Sequence, residues 1–395
     1  MDLWDSRIAF AEQEAVDRTF IHSFEPAAQN PVAGPTVALS TQEIEDAGIR
    51  EVLQTPGAGL GSWSVLNALL QPTGAGTPFI FREPLGQARE VKVALSGLFG
   101  RFVARAYLER YFGLSVFAHL ARSTIHLNRR RRIRIEKRHG ERGDLPDWIS
   151  CSAGMTALTV AEAKGCHDRL GPTQTLARAW RQAGRVNVYA GNHPVIPLKR
   201  VAIVTRWGAA RGGAPEPMLA VHDPEDEGDA TPPEDMDALF VGLLRLHFAG
   251  LLGPLGHSGL ANELSELASA SFALSERQAS ARARRALEDA PVREISPGAS
   301  EDAFDGLVGG LVTRAGPART AILSQADQET LARLDLRPTF VGIERDVLRL
   351  AISGEPTEIR KAMAGVSRKS AIARPDRAGG WIVPLGPDLG TLKDA

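Results

Sequence analysis

The period of the hydrophobic positions changes several times along the chain, and each change marks an element. Ser40-Thr-Gln-Glu43 has capping-box spacing, which predicts a helix ending near Gln54, before Thr55-Pro56-Gly57. A second short helix is predicted over Ser64 to Leu70. From Lys92 to about Phe112, Leu95, Leu98, Phe99, Phe102 and Ala106 recur at helical steps on one face, with Arg101, Arg105 and Glu109 elsewhere. Ile133 and Ile135 then alternate with charges, as in a half-buried strand. Asp147-Trp-Ile-Ser-Cys-Ser, a turn at Ala153-Gly154, and Ala157 to Lys164 read as a β-hairpin rich in β-branched residues. Thr173 to Ala183 suits a helix, and Lys199 to Trp207 (KRVAIVTRW) suits a buried strand. Met236 to Ala290 is predicted mostly helical, broken near Gly253-Pro254. Beyond it a short helix at Gln325 to Leu334 and strand-like runs at Phe340 to Ile343 and Val347 to Ile352 are expected. No internal repeat is evident.

Composition sets outer limits. The chain has 395 residues, 43% hydrophobic and 24% charged, with a net charge of −1, so it is not a general polyanion binder. The charge is unevenly distributed. RRRRIRIEKRHGER, from Arg129 to Arg142, has eight Lys or Arg against two Glu, whereas DPEDEGDATPPEDMD, from Asp223 to Asp237, has eight acids and no Lys or Arg. Two cysteines, Cys151 and Cys166, are too few for a disulfide framework. The opening MDLWDSRIAF lacks the pattern of a secretion signal. The most apolar stretch, Leu239 to Gly256, is broken by Arg245, His247 and Pro254 and falls short of the ~20 residues a membrane helix needs. A cytoplasmic protein with no membrane partner is expected.

The sharpest chemical feature is Pro146-Asp147, fourteen residues, then Glu162-Ala-Lys164. Residues two apart on a strand share a face, so Glu162 and Lys164 lie side by side, and the hairpin returns them beside Asp147. Two carboxylates on neighbouring strands suit Mg²⁺, with the Ala163 carbonyl as a further ligand. Such an ion activates water and neutralises phosphodiester charge, and Lys164 would steady the developing negative charge. Arg129, Arg130, Arg131, Arg132 and Arg134 precede this hairpin and are candidates for contacts to nucleic-acid phosphates. Asp144 competes with Asp147 as a ligand, but an odd offset along a strand puts only one of them on the useful face.

This arrangement resembles the signature of the PD-(D/E)XK, or restriction-endonuclease-like, nuclease superfamily. The resemblance covers roughly residues 92–207 and implies an αβββαβ core, a mixed sheet flanked by helices, that hydrolyses DNA with Mg²⁺, Mn²⁺ being the expected substitute. It also implies an acid on the first helix, for which Glu109 is the best placed and Glu90 the reserve, and a Gln on the helix after the motif, for which Gln174 stands suitably. The organisation expected is an N-terminal accessory region (1–85), the nuclease-like core (86–215), an acidic linker (216–237) and a C-terminal helical and α+β region (238–395) for partner or substrate contacts. Accessory regions of this kind suggest, by analogy, restriction or anti-phage defence. The substrate would be duplex or single-stranded DNA, and two active sites for two strands would make a homodimer. The rival reading is a DNA-binding or assembly protein that keeps the fold without turnover.

Other motifs carry less. Glu90-Val-Lys92 repeats the tripeptide without a preceding Asp on a hairpin strand. The glycines at 57, 59 and 61 lack the context of a dinucleotide loop and read as a turn. Cys166-His167 with Cys151 lacks a fourth zinc ligand. Gly256-His257-Ser258-Gly259 only superficially resembles a hydrolase elbow, since no strand precedes it. Trp180 and Trp207 are expected as core or surface aromatics.

Overall fold

A computed structural model describes residues 17–23, 32–39, 41–55, 70–71, 80–81, 89–120, 124–128, 132–154, 158–166, 173–191, 195–206, 208–209, 218–223, 236–269, 273–290, 306–313, 316–317, 339–365 and 374–384. Its strands are β1 (Asp17–Ser23), β2 (Val32–Leu39), β3 (Leu70–Gln71), β4 (Ile80–Phe81), β5 (Leu114–His119), β6 (Thr124–Asn128), β7 (Ile133–Lys137), β8 (Trp148–Ser152), β9 (Leu158–Cys166) and β10 (Val186–Tyr189). They continue with β11 (Val195–Ile196), β12 (Lys199–Arg206), β13 (Gly208–Ala209), β14 (Met218–His222), β15 (Leu307–Thr313), β16 (Gly316–Pro317), β17 (Thr339–Glu344), β18 (Arg374–Pro375) and β19 (Gly380–Pro384). The helices are α1 (Thr41–Gln54), α2 (Arg89–Tyr111), α3 (Thr173–Ala183), α4 (Met236–Leu252), α5 (Ser258–Ala268), α6 (Ala273–Glu288), α7 (Arg345–Ser353) and α8 (Pro356–Ala364).

The fold is mixed α/β. Its main sheet has seven strands in the order β2-β1-β14-β12-β9-β8-β5. β5, β8 and β9 form an antiparallel meander, β12 runs parallel to β9, and β14 returns antiparallel to β12. β9 is buried along Leu158–Ala163, as expected of a central strand covered on both faces. Residues paired in register share a face, and Ala202 and Val204, opposite Glu162 and Lys164, pack with Leu176 and Ala179 of α3. Glu162 and Lys164 therefore point to the α3 side, and Ala161, Ala163 and Gly165 to the α2 side. There the helix comes close: a Cβ on Gly165 would collide with the Ser96 carbonyl, and one on Gly100 would lie 2.7 Å from the Gly165 nitrogen. These glycines let α2 sit directly on the strand that carries the motif.

Several expectations change. α2 is buried along residues 102–108, so its charged side does not face water. It packs against α1, and Arg105 is fully buried. The strand beside β8 is β5, which the charge-rich segment after it had obscured. Ile133 and Ile135 instead lie in a separate four-stranded antiparallel sheet, β11-β10-β7-β6. Residues 1–85 contribute β1 and β2 to the main sheet and α1 to its helical layer. The acidic linker is corrected at 218–222, which form the buried strand β14 inside the sheet; residues 224–235 lie outside the described residues. Val347 to Ile352 is helical, with Val347, Leu348, Ala351 and Ile352 buried on one face; a short apolar run of this length cannot be told from a strand by its pattern alone. The C-terminal region carries α4 to α8 and the antiparallel sheet β16-β15-β17-β19-β18, and α4 lies against β5. Its buried Arg245 donates to the carbonyls of Ala351, Ile352 and Leu267, satisfying helix-end acceptors. The helix predicted over Ser64 to Leu70 is corrected at Leu70, which opens β3; residues 64–69, the predicted helix at 325–334 and the glycines at 57, 59 and 61 fall outside the described residues. Among the described residues no helix is long and apolar enough to cross a membrane.

Candidate active site

Asp147 is the last residue before β8, and the β8–β9 ladder begins at Trp148↔Ala161. Asp147 thus stands opposite Glu162 where the two strands part. The two residues are interlocked. The Asp147 backbone N–H donates to Glu162 Oε2 at 3.0 Å, and the Ala163 N–H donates to Asp147 Oδ2 at 2.9 Å. A strand residue projects its N–H and C=O from the same edge, so the Ala163 carbonyl also faces Asp147. Glu162 is fully buried, and Lys164 Nζ, at the mouth with 37% of its side chain exposed, ion-pairs with Glu162 Oε1. The three motif residues are brought together.

Burial raises the pKa of Glu162, and the neighbouring Asp147 charge raises it further, more than the Lys164 ammonium offsets. Asp147 is likewise raised, first by burial and then by Glu51, against the pull of Arg101 and of the Ala163 N–H. Two acids pressed together with too little positive charge can share a proton or take up a cation. Mg²⁺ commonly uses one or two carboxylates and keeps several waters, so Asp147, Glu162 and the Ala163 carbonyl form a fitting, partial donor set. Among the described residues no group of three or more His, Cys, Asp or Glu is gathered to hold a metal ion.

A third acid lies next to this pair. Glu51, on α1, is fully buried and surrounded by donors. Trp148 Nε1 donates to Glu51 Oε2 at 3.0 Å, and His119 Nε2 and Arg105 Nη1 lie 3.2 and 3.4 Å from the same oxygen. Arg101 Nη1 lies 3.4 Å from Glu51 Oε1 and 3.9 Å from Asp147 Oδ1, so one guanidinium spans both centres. Burial pushes the Glu51 carboxyl up, but His119, Arg101 and Arg105 together hold it well below the usual carboxylate range. Against Gln54, a turn further along α1, His247 is pushed down to about 3 by burial and by Arg105, and its Nδ1 accepts from the Phe117 N–H at 3.1 Å.

The other expected site residues fare differently. Glu109 lies away from the strand fork. It is bound by Arg50 and Arg105, the latter at 3.0 Å, and the acid that reaches the site's edge is Glu51. Gln174 is exposed in the first turn of α3, where its carbonyl accepts from Arg178 at 3.4 Å. Arg129, Arg130 and Arg131 lie outside the described residues. Arg132 is exposed with a φ of 54°, and Arg134 pairs with Glu136 at 2.6 Å and stacks 4.8 Å from the Tyr189 ring centre. Arg134 is thus committed to the separate sheet. Cys151 is buried opposite Leu158, and Cys166 is eight residues further along β9, roughly 26 Å away at ~3.3 Å per residue, so the two cannot share zinc. Burial pushes the Cys151 thiol up to about 12. Ser258 is the exposed first residue of α5, and His257 Nε2 pairs with the Gly309 carbonyl at 2.8 Å, so the hydrolase elbow is excluded. Trp180 packs edge-on against His222, and Trp207 lies outside the described residues.

Glu51 did leave a signal in the sequence. Ile44, Ala47, Glu51 and Gln54 fall on one helical face, and a carboxylate within an apolar stripe must find buried partners. Compared with protein-family models, curated proteins and solved structures, the chain has no match.

Proposed function

We propose that the chain is a Mg²⁺-dependent nuclease that hydrolyses DNA phosphodiester bonds on a restriction-endonuclease-like core. One observation carries the reading: Asp147 and Glu162, from adjacent antiparallel strands, are interlocked by backbone N–H bonds, and both are pushed above the ordinary carboxylate range. With the separate sheet's β6, β7, β10 and β11 set aside, the elements α2, β5, β8, β9, α3 and β12, with β12 parallel to β9, follow an order similar to the αβββαβ of that superfamily. Asp147, Glu162 and the Ala163 carbonyl would hold the ion, which when bound supplies activated water and neutralises phosphodiester charge. Lys164 is two residues along the same strand and can swing from Glu162 to a non-bridging phosphate oxygen, where its charge opposes the charge that develops on attack. Trp148 and the buried layer behind it keep the rear of the site dry, which strengthens these interactions.

The test is incubation of duplex and single-stranded DNA with Mg²⁺, Mn²⁺ or chelator. Wild type should cut only with metal, and Glu162→Ala should lose at least about a hundredfold, the scale of removing a transition-state charge stabiliser. Equal behaviour of the two, or no cutting by either, rejects the reading. The Lys164–Glu162 ion pair, which leaves the acids partly compensated without metal, favours a second reading: a DNA-binding or assembly protein without turnover. DNA binding with no cleavage under any of these metals would select it.

A further inference from the structure

α3 and the turn after it separate their residues cleanly. Leu176, Ala179 and Ala183 are buried against the sheet, and Arg178 and Arg181 on the helix and Arg185 in the turn follow at steps of three and four on the outer side. These arginines line an open groove of ≈ 1020 Å³ together with Lys164, the residue next to the carboxylate pair. We propose that this arginine row is the track along which one strand of a nucleic-acid backbone runs toward Lys164 and Glu162. The inference rests on the nuclease reading for where the track leads, but not for the binding itself.

Three observations carry it. The first is the state of the guanidiniums. Arg178 bonds to the Gln174 carbonyl at 3.4 Å and the Thr175 hydroxyl at 3.3 Å, Arg181 to the Ala177 carbonyl at 3.3 Å, and Arg185 to the Asp144 carbonyl at 2.7 Å. None of the three is ion-paired with a carboxylate among the described residues, and each guanidinium has five N–H donors. Most of that capacity is not taken up by acceptors among the described residues, and three guanidiniums on one groove are a local excess of positive charge in a chain of net charge −1. The second is spacing. At ~1.5 Å per residue along α3, carried through the turn that follows, Arg178 to Arg185 spans about 10 Å, the rise of about three phosphates along one strand at ~3.4 Å each. The third is direction, because the row ends at the loop that bears the site. Arg185 holds the Asp144 carbonyl, and Gln182 Nε2 holds the Leu145 carbonyl at 2.6 Å, directly before Pro146-Asp147. The acids at the rim, Glu141 and Asp144, are exposed and sit on the loop side, which leaves the α3 side for the phosphates. This row takes the place of the Arg129–Arg134 cluster as the favoured phosphate contact.

The test is a salt titration of binding, read by fluorescence anisotropy on a labelled duplex and on one of its strands, in chelator so that nothing is cut. Arg178 and Arg181 are exposed and Arg185 orders the loop, so the variant is Arg178→Ala/Arg181→Ala. Each lost phosphate contact removes about 0.9 from the slope of log K against log salt on duplex and about 0.7 on single strand. The double variant should therefore lose about 1.8 on duplex or about 1.4 on single strand, and the form with the fuller loss identifies the substrate. Arg178→Lys/Arg181→Lys should keep the slope. Arg282→Ala/Arg349→Ala, which removes the same charge from exposed positions on α6 and α7, should leave it unchanged. A wild type that binds neither nucleic acid overturns the proposal, and so does an alanine variant with the wild-type slope. Failure of the nuclease reading is separate: wild type and Glu162→Ala would fail alike to cut while the slopes behaved as stated.

Discussion

Glu51 and Glu162 are both fully buried, yet the fold carries them to opposite sides of the ordinary carboxylate range. Desolvation acts on them in the same sense, so it cannot be the difference. Company is. Glu51 meets Arg101, Arg105 and His119 and accepts the Trp148 indole N–H, whereas Glu162 meets one lysine and faces a second carboxylate. At an effective dielectric of about 20, a unit charge about 4 Å away is worth roughly 4 kcal/mol, so one cation more or one anion less decides the sign. The first centre is electrostatically closed and behaves as structure. The second is left short of positive charge, which is the condition for taking up a metal ion. Arg101 touches both, and its 3.9 Å approach to Asp147 is too long for a hydrogen bond, so it tempers the second centre without satisfying it.

The largest effect that can break this contrast is expected at the closed centre. Glu51→Ala removes the buried carboxylate shared by His119, Arg101 and Arg105, leaves Arg105 with Glu109 as its one carboxylate among the described residues, and should cost about 3–5 kcal/mol of folding stability in denaturant titrations, the usual result of removing one member of a buried ion pair. Glu162→Gln removes a repulsion instead. Without metal at pH 8 it should unfold no more easily than wild type, even though on the proposed nuclease reading it should abolish cleavage. If Glu162→Gln proved as destabilising as Glu51→Ala, the division into a structural and a reactive centre would be wrong.

How much of this was readable in advance follows from sequence distance. Asp147 and Glu162 are joined by one hairpin, and period-two alternation with a central glycine is enough to bring them together. Thr173–Ala183 is similarly local, and its boundaries match the expectation. Glu51 meets Trp148 of β8 across 97 residues, a contact that exists only in the tertiary fold, where α1 also packs against α2. The same packing was out of sight in the reading of α2, which placed Arg101, Arg105 and Glu109 off the apolar face, because no single-helix pattern announces a second helix lying on it. β5 was hidden by its short length beside a charge-rich segment, and β14 by the acidic run that follows it.

Smaller effects come from pH, and their signs separate the centres again. Asp147 and Glu162 have folded-state pKa values above their unfolded ones, so the stability they contribute is present at low pH and lost as pH rises above the ordinary carboxylate range. Glu51 and His247 are depressed, so theirs is present at higher pH and lost on acidification, beginning near pH 6.5 for His247. The stability of Glu162→Gln relative to wild type should therefore grow between pH 5 and pH 8 in chelator and shrink when Mg²⁺ is added. A difference that stays flat with pH would mean that the pair is not strained by its own charge.

The smallest effect tests the remaining acid. Glu109 had the better claim to a catalytic place on family grounds, but its carboxylate is taken up by Arg50 and Arg105, a turn or more along α2 from Arg101. Glu109→Gln keeps the size and the accepting oxygen while removing the charge. It should leave metal-dependent cleavage within about twofold of wild type and cost about 1.5–3 kcal/mol, the scale of a hydrogen bond to a charged group. Cleavage rates at saturating metal decide the matter. A loss comparable to that of Glu162→Ala would show that the strand fork is not electrostatically separate from the far end of α2, because the charge would then have to act through Arg105, Glu51 and Arg101 in turn.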